Sequence, residues 1–181
     1  RTKSLNVTPT SMPIRMALSW VRIRYTVHVM ASPRNPLLQA PARPLPRRIA
    51  LIGAGTIGPD IGYYLKSALP DLDLVLVDVA QAAVDRAVAR FGEYAAKARA
   101  RGKMSEAEAA AVTQGVRGTT DYEAIRGADW VIEAATEDLA LKQRIFAQVE
   151  VRVSADALIT SNTSSLPAGR IFSGLKHKGR A

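Results

Sequence analysis

Apolar positions along this chain follow two periods that alternate with each other. Short, mostly apolar runs, Ile49–Ile52, Leu72–Val77 and Trp130–Glu133, read as strands, the unbroken first of them as one buried on both faces, and Val116–Thr119 and Ala157–Thr160 read as further short strands. Between them apolar residues recur at helical spacing. One such segment runs from the glycines after Ile52 to about Leu69. A second, Ala80 to about Arg101, carries Val84, Ala87, Val88 and Phe91 and stops at Gly102. Ser105-x-x-Glu108 is a capping box that starts another helix through about Val112. Asp121–Gly127 reads as a short helix. Asp138 caps a longer one running to about Val153, with Leu141, Ile145, Phe146 and Val149 on its buried face. Strand–helix alternation of this kind predicts a parallel, doubly wound α/β sheet, with a helical hairpin inserted after the second strand. In such sheets ligands sit outside the carboxyl ends of the strands, where Asp78, the 134–138 turn and the polar run 161–165 converge.

The stretch Arg48–Val79 carries the first chemistry. Gly53, Gly55 and Gly58, with Ala54, Thr56 and Ile57 between them, form G-x-G-x-x-G after a predicted strand and at the start of a predicted helix. Gly53 permits a tight turn, Gly55 lets backbone approach a pyrophosphate, and Gly58 lets helix and strand pack closely. The helix N-terminus offers unpaired N–H groups to the phosphates. Asp78 ends the next strand twenty residues after Gly58, placed to accept from the adenosine ribose hydroxyls and to repel a 2′-phosphate. The context makes this a Rossmann-type fold binding NAD in preference to NADP; the plain alternative is a glycine-rich βα turn in another α/β protein. Pro59 falls in the first helical turn, where a missing N–H costs little.

Charge changes the picture only when its distribution is read. The chain has 181 residues and a formal charge of +9, which suggests a nucleic-acid binder. Yet residues 1–48 hold nine Arg or Lys and no acid, whereas residues 49–181 hold sixteen of each sign. The folded part is formally neutral, so no nucleic-acid partner is expected. The leader, residues 1–47, is expected to be disordered. It is either an Arg-rich organelle transit peptide or upstream sequence carried in by a fragment, with Met30 as an alternative start. A cytoplasmic location is expected, or a mitochondrial one if the leader is a transit peptide. Val21, Ile23, Tyr25, Val27 and Val29 alternate with polar residues as a short edge strand would, and Pro33–Pro46 reads as a linker. Arg15, Arg22 and Arg24 interrupt every candidate membrane span. The absence of cysteine excludes disulfides, zinc-thiolate sites and a thiol nucleophile, and no metal is expected.

Taken together, GAGTIG, VLVDV, the helical hairpin, WVIEAATEDLALKQRIF and ALITSNTSSLP resemble the N-terminal NAD-binding domain of the L-3-hydroxyacyl-CoA dehydrogenases over Arg48–Arg170. The resemblance implies hydride transfer to NAD from the 3-hydroxyl carbon of an acyl-CoA, in fatty-acid β-oxidation chemistry. It matches Glu137 and Lys142 to a Glu and a Lys near the nicotinamide, Asn162 to the same cofactor-binding turn, and Ser164 to the serine near the substrate oxygen. From the residues alone, Glu137 and Lys142 also suit a solvated helix start, and the Ser/Thr/Asn run also suits an N-cap. Lys97, Arg99, Arg101 and Lys103 suit either CoA phosphates or a solvated helix end.

The family's catalytic His lies in an H-F-x-x-P-type strand that this sequence does not reach. Neither His28 nor His177 matches it. The chain therefore reads as a fragment, inactive alone, with the acyl-CoA pocket and a homodimer interface belonging to a C-terminal helical domain. Two other readings stay open: a relative acting on another hydroxy acid, and a non-catalytic dinucleotide-binding protein.

Overall fold

The computed structural model describes residues 43–177 and Gly179. The chain divides into two units, residues 1–44 and 45–181, and every element named below belongs to the second. The alternating run Val21–Val29, His28, the leader up to residue 42 and residues 33–42 of the linker lie outside the described residues.

Five strands, β1 (Arg48–Ile52), β2 (Asp73–Val77), β3 (Val116–Thr119), β4 (Trp130–Glu133) and β5 (Leu158–Ser161), form one sheet in the order β3-β2-β1-β4-β5. All four pairings are parallel. The order reverses between β1 and β4, which puts the topological switch point at the carboxyl end of β1. The predicted doubly wound sheet is present, and its strands begin and end within a residue or two of the apolar runs.

Strand alternation splits the core between the two faces. Ile49, Leu51, Leu74, Leu76 and Ile132 point to one face. There they pack under α1 (Ile57–Ala68) and α2 (Gln81–Ala100). Ala50, Ile52, Val75, Val131 and Ile159 point to the other, against Ile145, Phe146 and Val149 of α4 (Leu139–Glu150) and Ile171 of the short α5 (Ala168–Ile171). Covering both faces is what allows the strands to be apolar throughout.

The helical hairpin is formed by α2 and α3 (Glu106–Thr113). Ser105 Oγ accepts from the Glu108 N–H at 3.2 Å while Glu108 Oε2 accepts from the Ser105 N–H at 2.8 Å, so the capping box is complete. Ala95, Ala109 and Val112 gather around Tyr63 of α1, and the hairpin therefore lies against the body of the fold. Two details depart from the sequence pattern. The segment after Asp121 is a 3-10 helix, Tyr122–Ile125, capped by Asp121 and closed by Gly127 at φ +75°. Lys66 is 1% exposed within α1, its ammonium donating to Leu72 O at 2.9 Å and to Pro70 O. That amine ties the end of α1 to carbonyls of the turn that leads into β2; burial pushes its pKa down, with Asp71 and Asp73 opposing.

Among the described residues, the covering of the α1 face is shallowest beside α1, over β4 and β5. A groove of about 540 Å³ runs there, its lining including Ile61, Tyr64, Leu65, Trp130 and Ile132. No helix among the described residues is long and apolar enough to cross a membrane.

The close packing of α1 on α2 rests on a glycine. A Cβ at Gly62 would lie 2.9 Å from Leu51, Leu74 and Phe91 side-chain atoms, so Phe91 fills the space that Gly62 leaves. Phe91→Ala should lower unfolding free energy by about 3–5 kcal/mol, read as a fall in denaturation midpoint at unchanged m-value.

Candidate functional site

The turn after β1 is built by exclusion of side chains. Gly53 sits at φ +108°, where a Cβ would also come within 2.6 Å of the Ala134 carbonyl oxygen. A Cβ at Gly58 would lie 1.9 Å from the Gly53 carbonyl oxygen. Gly55 differs: its Cβ would meet nothing within 4 Å, because it faces open space above the turn. Burial follows the same division. Gly53, Ala54 and Gly58 are buried, while Gly55, Thr56 and Ile57 are exposed in a row at the start of α1. Thr56 occupies the N-cap without making a side-chain cap bond. The first-turn N–H groups of α1 are thus offered to an anion, with the positive end of the helix dipole behind them.

Asp78 joins this turn to β2. Its Oδ2 accepts from the Ala54 N–H at 2.8 Å and its Oδ1 from the Ala80 N–H at 3.0 Å. The carboxylate is half-buried, and each oxygen keeps a second lone pair for a ribose hydroxyl. Gly53 N–H donates to Val77 O at 2.8 Å, holding the two strand ends level. The residues present fit a dinucleotide: an open glycine, an uncapped helix start and an anchored carboxylate in the required order.

Across the switch point the tips of β4 and β5 carry a second polar group. Register pairs Glu133 with Ser161, and both face the α4 side of the sheet. Glu133 is fully buried. Its Oε1 accepts from the Ala135 N–H at 2.6 Å and from Lys142 Nζ at 2.7 Å; Oε2 accepts from Lys142 Nζ at 2.9 Å and from the Ser161 hydroxyl. Lys142 is fully buried too, with its ammonium 3.3 Å from Glu137 Oε2. Glu137 in turn accepts from the Thr163 hydroxyl and, at 2.9 Å, from the Ser165 hydroxyl. Asp138 caps α4 through the Leu141 N–H at 2.6 Å.

The structure gathers Gly55, Thr56, Ile57, Asp78, Glu137, Asn162 and Ser164 along the carboxyl edge of the sheet. Asn162 is exposed, its N–H donating to Glu133 O at 2.7 Å. Ser164 is exposed, and no side-chain hydrogen bond of its hydroxyl is found among the described residues. Lys142 lies fully buried beneath this rim and meets it through Glu137 and the Ala135 carbonyl. His177 is elsewhere. Its backbone N–H donates to Glu150 at the far end of α4, about 18 Å of helix from Asp138. In the hairpin, Arg99 pairs with Glu106 at 3.8 Å with both side chains well exposed.

Two contributors were not singled out from sequence. Glu133 had a visible signal, a lone acid ending a buried strand. Arg90, which donates to Thr56 O at 2.9 Å and pins α2 to the start of α1, had none.

Glu137 is held at about 2, below its ordinary 4.5, first by the Thr163 and Ser165 hydroxyls and then by Lys142. A depressed carboxylate contributes stability above its unfolded pKa and loses it as pH falls through the folded one. Wild-type thermal midpoints should therefore exceed those of Glu137→Gln at pH 5, with the two curves converging toward about pH 2; a constant gap in scanning calorimetry would refute the assignment.

Comparison with known proteins gives the same reading. Residues 48–181 match the family described as 3-hydroxyacyl-CoA dehydrogenase, NAD binding domain. Among solved structures, the chain is similar to 3-hydroxybutyryl-CoA dehydrogenase of Escherichia coli K12, at 30% identity and TM-score 0.71, covering 75% of this chain and 28% of that one. It is similar to (S)-3-hydroxybutyryl-CoA dehydrogenase of Ralstonia eutropha, at 33% identity and TM-score 0.66, covering 71% of this chain and 44% of that one. It also resembles a 5-formyl-3-hydroxy-2-methylpyridine 4-carboxylic acid 5-dehydrogenase, described as an NAD+-dependent dismutase, at 31% identity and TM-score 0.60, covering 74% of this chain and 42% of that one. The chain thus spans less than half the length of these relatives. On the family match, the switch-point geometry and the anchored acid together, the chain belongs to the 3-hydroxyacyl-CoA dehydrogenase family, and residues 48–181 are its NAD-binding domain.

Proposed function

We propose that this domain works in an enzyme that oxidises (S)-3-hydroxyacyl-CoA to 3-ketoacyl-CoA, a step of the β-oxidation type. NAD, when bound, supplies the hydride acceptor; the residues of this chain bind it, orient it and position the substrate oxygen. The observation that carries the reading is the polar rim of β4 and β5 on the far side of the glycine turn from Asp78. A dinucleotide anchored at Asp78 and Gly55 extends toward that rim, because the switch point lies between them. Ser164 is the residue we assign to the substrate oxygen, an assignment supported by its exposed and unengaged hydroxyl. A hydroxyl donor in that position stabilises negative charge on the 3-oxygen as the carbon–hydrogen bond breaks. Proton removal, the rest of the acyl-CoA pocket and a homodimer interface are assigned to chain beyond this domain, in keeping with the greater length of the relatives.

A second reading has one observation in its favour, the similarity to a dehydrogenase of a pyridine carboxylic acid. On that reading the same cofactor half serves a small acid that carries no CoA. Substrate trials with the full-length enzyme separate the two: turnover of 3-hydroxyacyl-CoA supports the first, and turnover restricted to a free hydroxy acid supports the second.

Calorimetric titration of the chain should show NAD binding and NADP binding at least about tenfold weaker, since the Asp78 carboxylate opposes a 2′-phosphate. Equal affinities would overturn the role of Asp78. In the full-length enzyme, Ser164→Ala should reduce kcat about a hundredfold with little change in NAD affinity; unchanged turnover would remove Ser164 from the site.

A further inference from the structure

Formal charge does not balance on the β4–β5 side of the cleft. One cation, Lys142, lies within 4 Å of two carboxylates: Glu133 at 2.7 Å and Glu137 at 3.3 Å. The three groups sum to one net negative charge. Their exposure is unequal, because Glu133 and Lys142 are 0% exposed whereas the Glu137 side chain is 38% exposed. Glu133 holds Lys142 through both of its oxygens, and the Ala135 N–H and Ser161 hydroxyl fix that carboxylate from two other sides. The lysine is thus shared, closer to Glu133 than to Glu137, and the net negative charge of the trio is displayed at its one exposed member, Glu137. Asp138, the next acid along, caps α4 and adds to that charge without offsetting it.

The direction in which this charge faces follows from topology. The strand order β2-β1-β4-β5 puts the adenosine half of a dinucleotide at Asp78 on β2 and its pyrophosphate over the start of α1. By the same topology the remaining half, the nicotinamide, extends toward the β4–β5 rim. Its ring is cationic in the oxidised cofactor and neutral in the reduced one.

We infer that Glu133, Lys142 and Glu137 form an electrostatic element that binds the oxidised cofactor in preference to the reduced one, with Glu133 as the positioning residue that stops Lys142 from cancelling Glu137. This deepens the dehydrogenase reading and rests on it. Ionisation of Glu137 is secured by its hydroxyl donors, so the charge persists through the physiological pH range. Removing the charge at either carboxylate makes the trio neutral. Glu133→Gln does so from beneath, by leaving Lys142 with Glu137 as its one full counter-charge.

The test is titration of NAD, NADH and ADP-ribose into the wild-type chain, Glu137→Gln and Glu133→Gln. Both variants should lose affinity for NAD roughly fivefold more than for NADH, an effect that shrinks with added salt, while ADP-ribose stays within about twofold. Any interaction that both oxidation states make equally cancels in that ratio, and a merely structural defect lowers all three affinities together. An unchanged NAD-to-NADH ratio in Glu137→Gln, or equal loss for ADP-ribose, would overturn the inference. Should Glu133→Gln fail to fold, Glu137→Gln decides the matter, because its side chain is partly exposed and outside the core. Failure of the wild-type chain to bind even ADP-ribose would instead overturn the cofactor reading itself.

Discussion

The interaction on which the rest depends is the approach of three backbone segments at the carboxyl end of β1. Gly58 lies against the Gly53 carbonyl, and Gly53 lies against the carbonyl of Ala134, with no room for a methyl group at either glycine. That closeness brings the start of α1 directly over the end of β1 and draws the tip of β4 beside it. Remove either glycine and the helix start must rise away from the strand. The anion-binding N–H groups would then lose their position relative to Asp78 and to the β4–β5 rim. The site is a consequence of how little space the turn occupies.

The two edges of the sheet treat charge in opposite ways. At the amino edge, most polar groups are engaged with one another: Asp129 accepts from the Arg47 and Arg48 N–H groups, and Arg117 reaches Asp73 at 3.0 Å, while Arg48 Nε stands 3.6 Å from Asp73 without a hydrogen bond. At the carboxyl edge they are left partly available. The α1 N-cap has no side-chain bond, Asp78 retains half of its accepting capacity, and Ser164 is unengaged. An edge whose donors and acceptors remain open is one prepared for a polar ligand.

Two buried lysines show the same division. Lys66 holds the carbonyls of the turn between α1 and β2. Lys142 is matched to Glu133 immediately under the β4–β5 rim. A buried ion pair is costly to desolvate, and an apolar pair of similar volume commonly stabilises a core as well or better. Its presence here ties the β4 turn, the first turn of α4 and the tip of β5 into one rigid unit.

The sequence by itself determined a good deal. Buried runs such as Ile49–Ile52 and Leu72–Val77 marked strands because a strand covered on both faces has no polar period. Ser105 with Glu108, and Asp138, marked helix starts because capping chemistry is local and carries its own spacing. The glycine spacing with Asp78 marked a tight turn after β1 and the end of β2, since turn geometry and strand length fix those distances. What the tertiary structure decided was pairing at long range. Glu133 meets Ser161 through strand register twenty-eight residues apart, and Lys142 reaches Glu133 only once α4 docks on the sheet. Arg90 reaches Thr56 only because α2 crosses back over α1. Local sequence encodes the elements and their ends, but which charge is buried against which is set by packing, and that is what turned Lys142 from a surface candidate into a buried counter-ion.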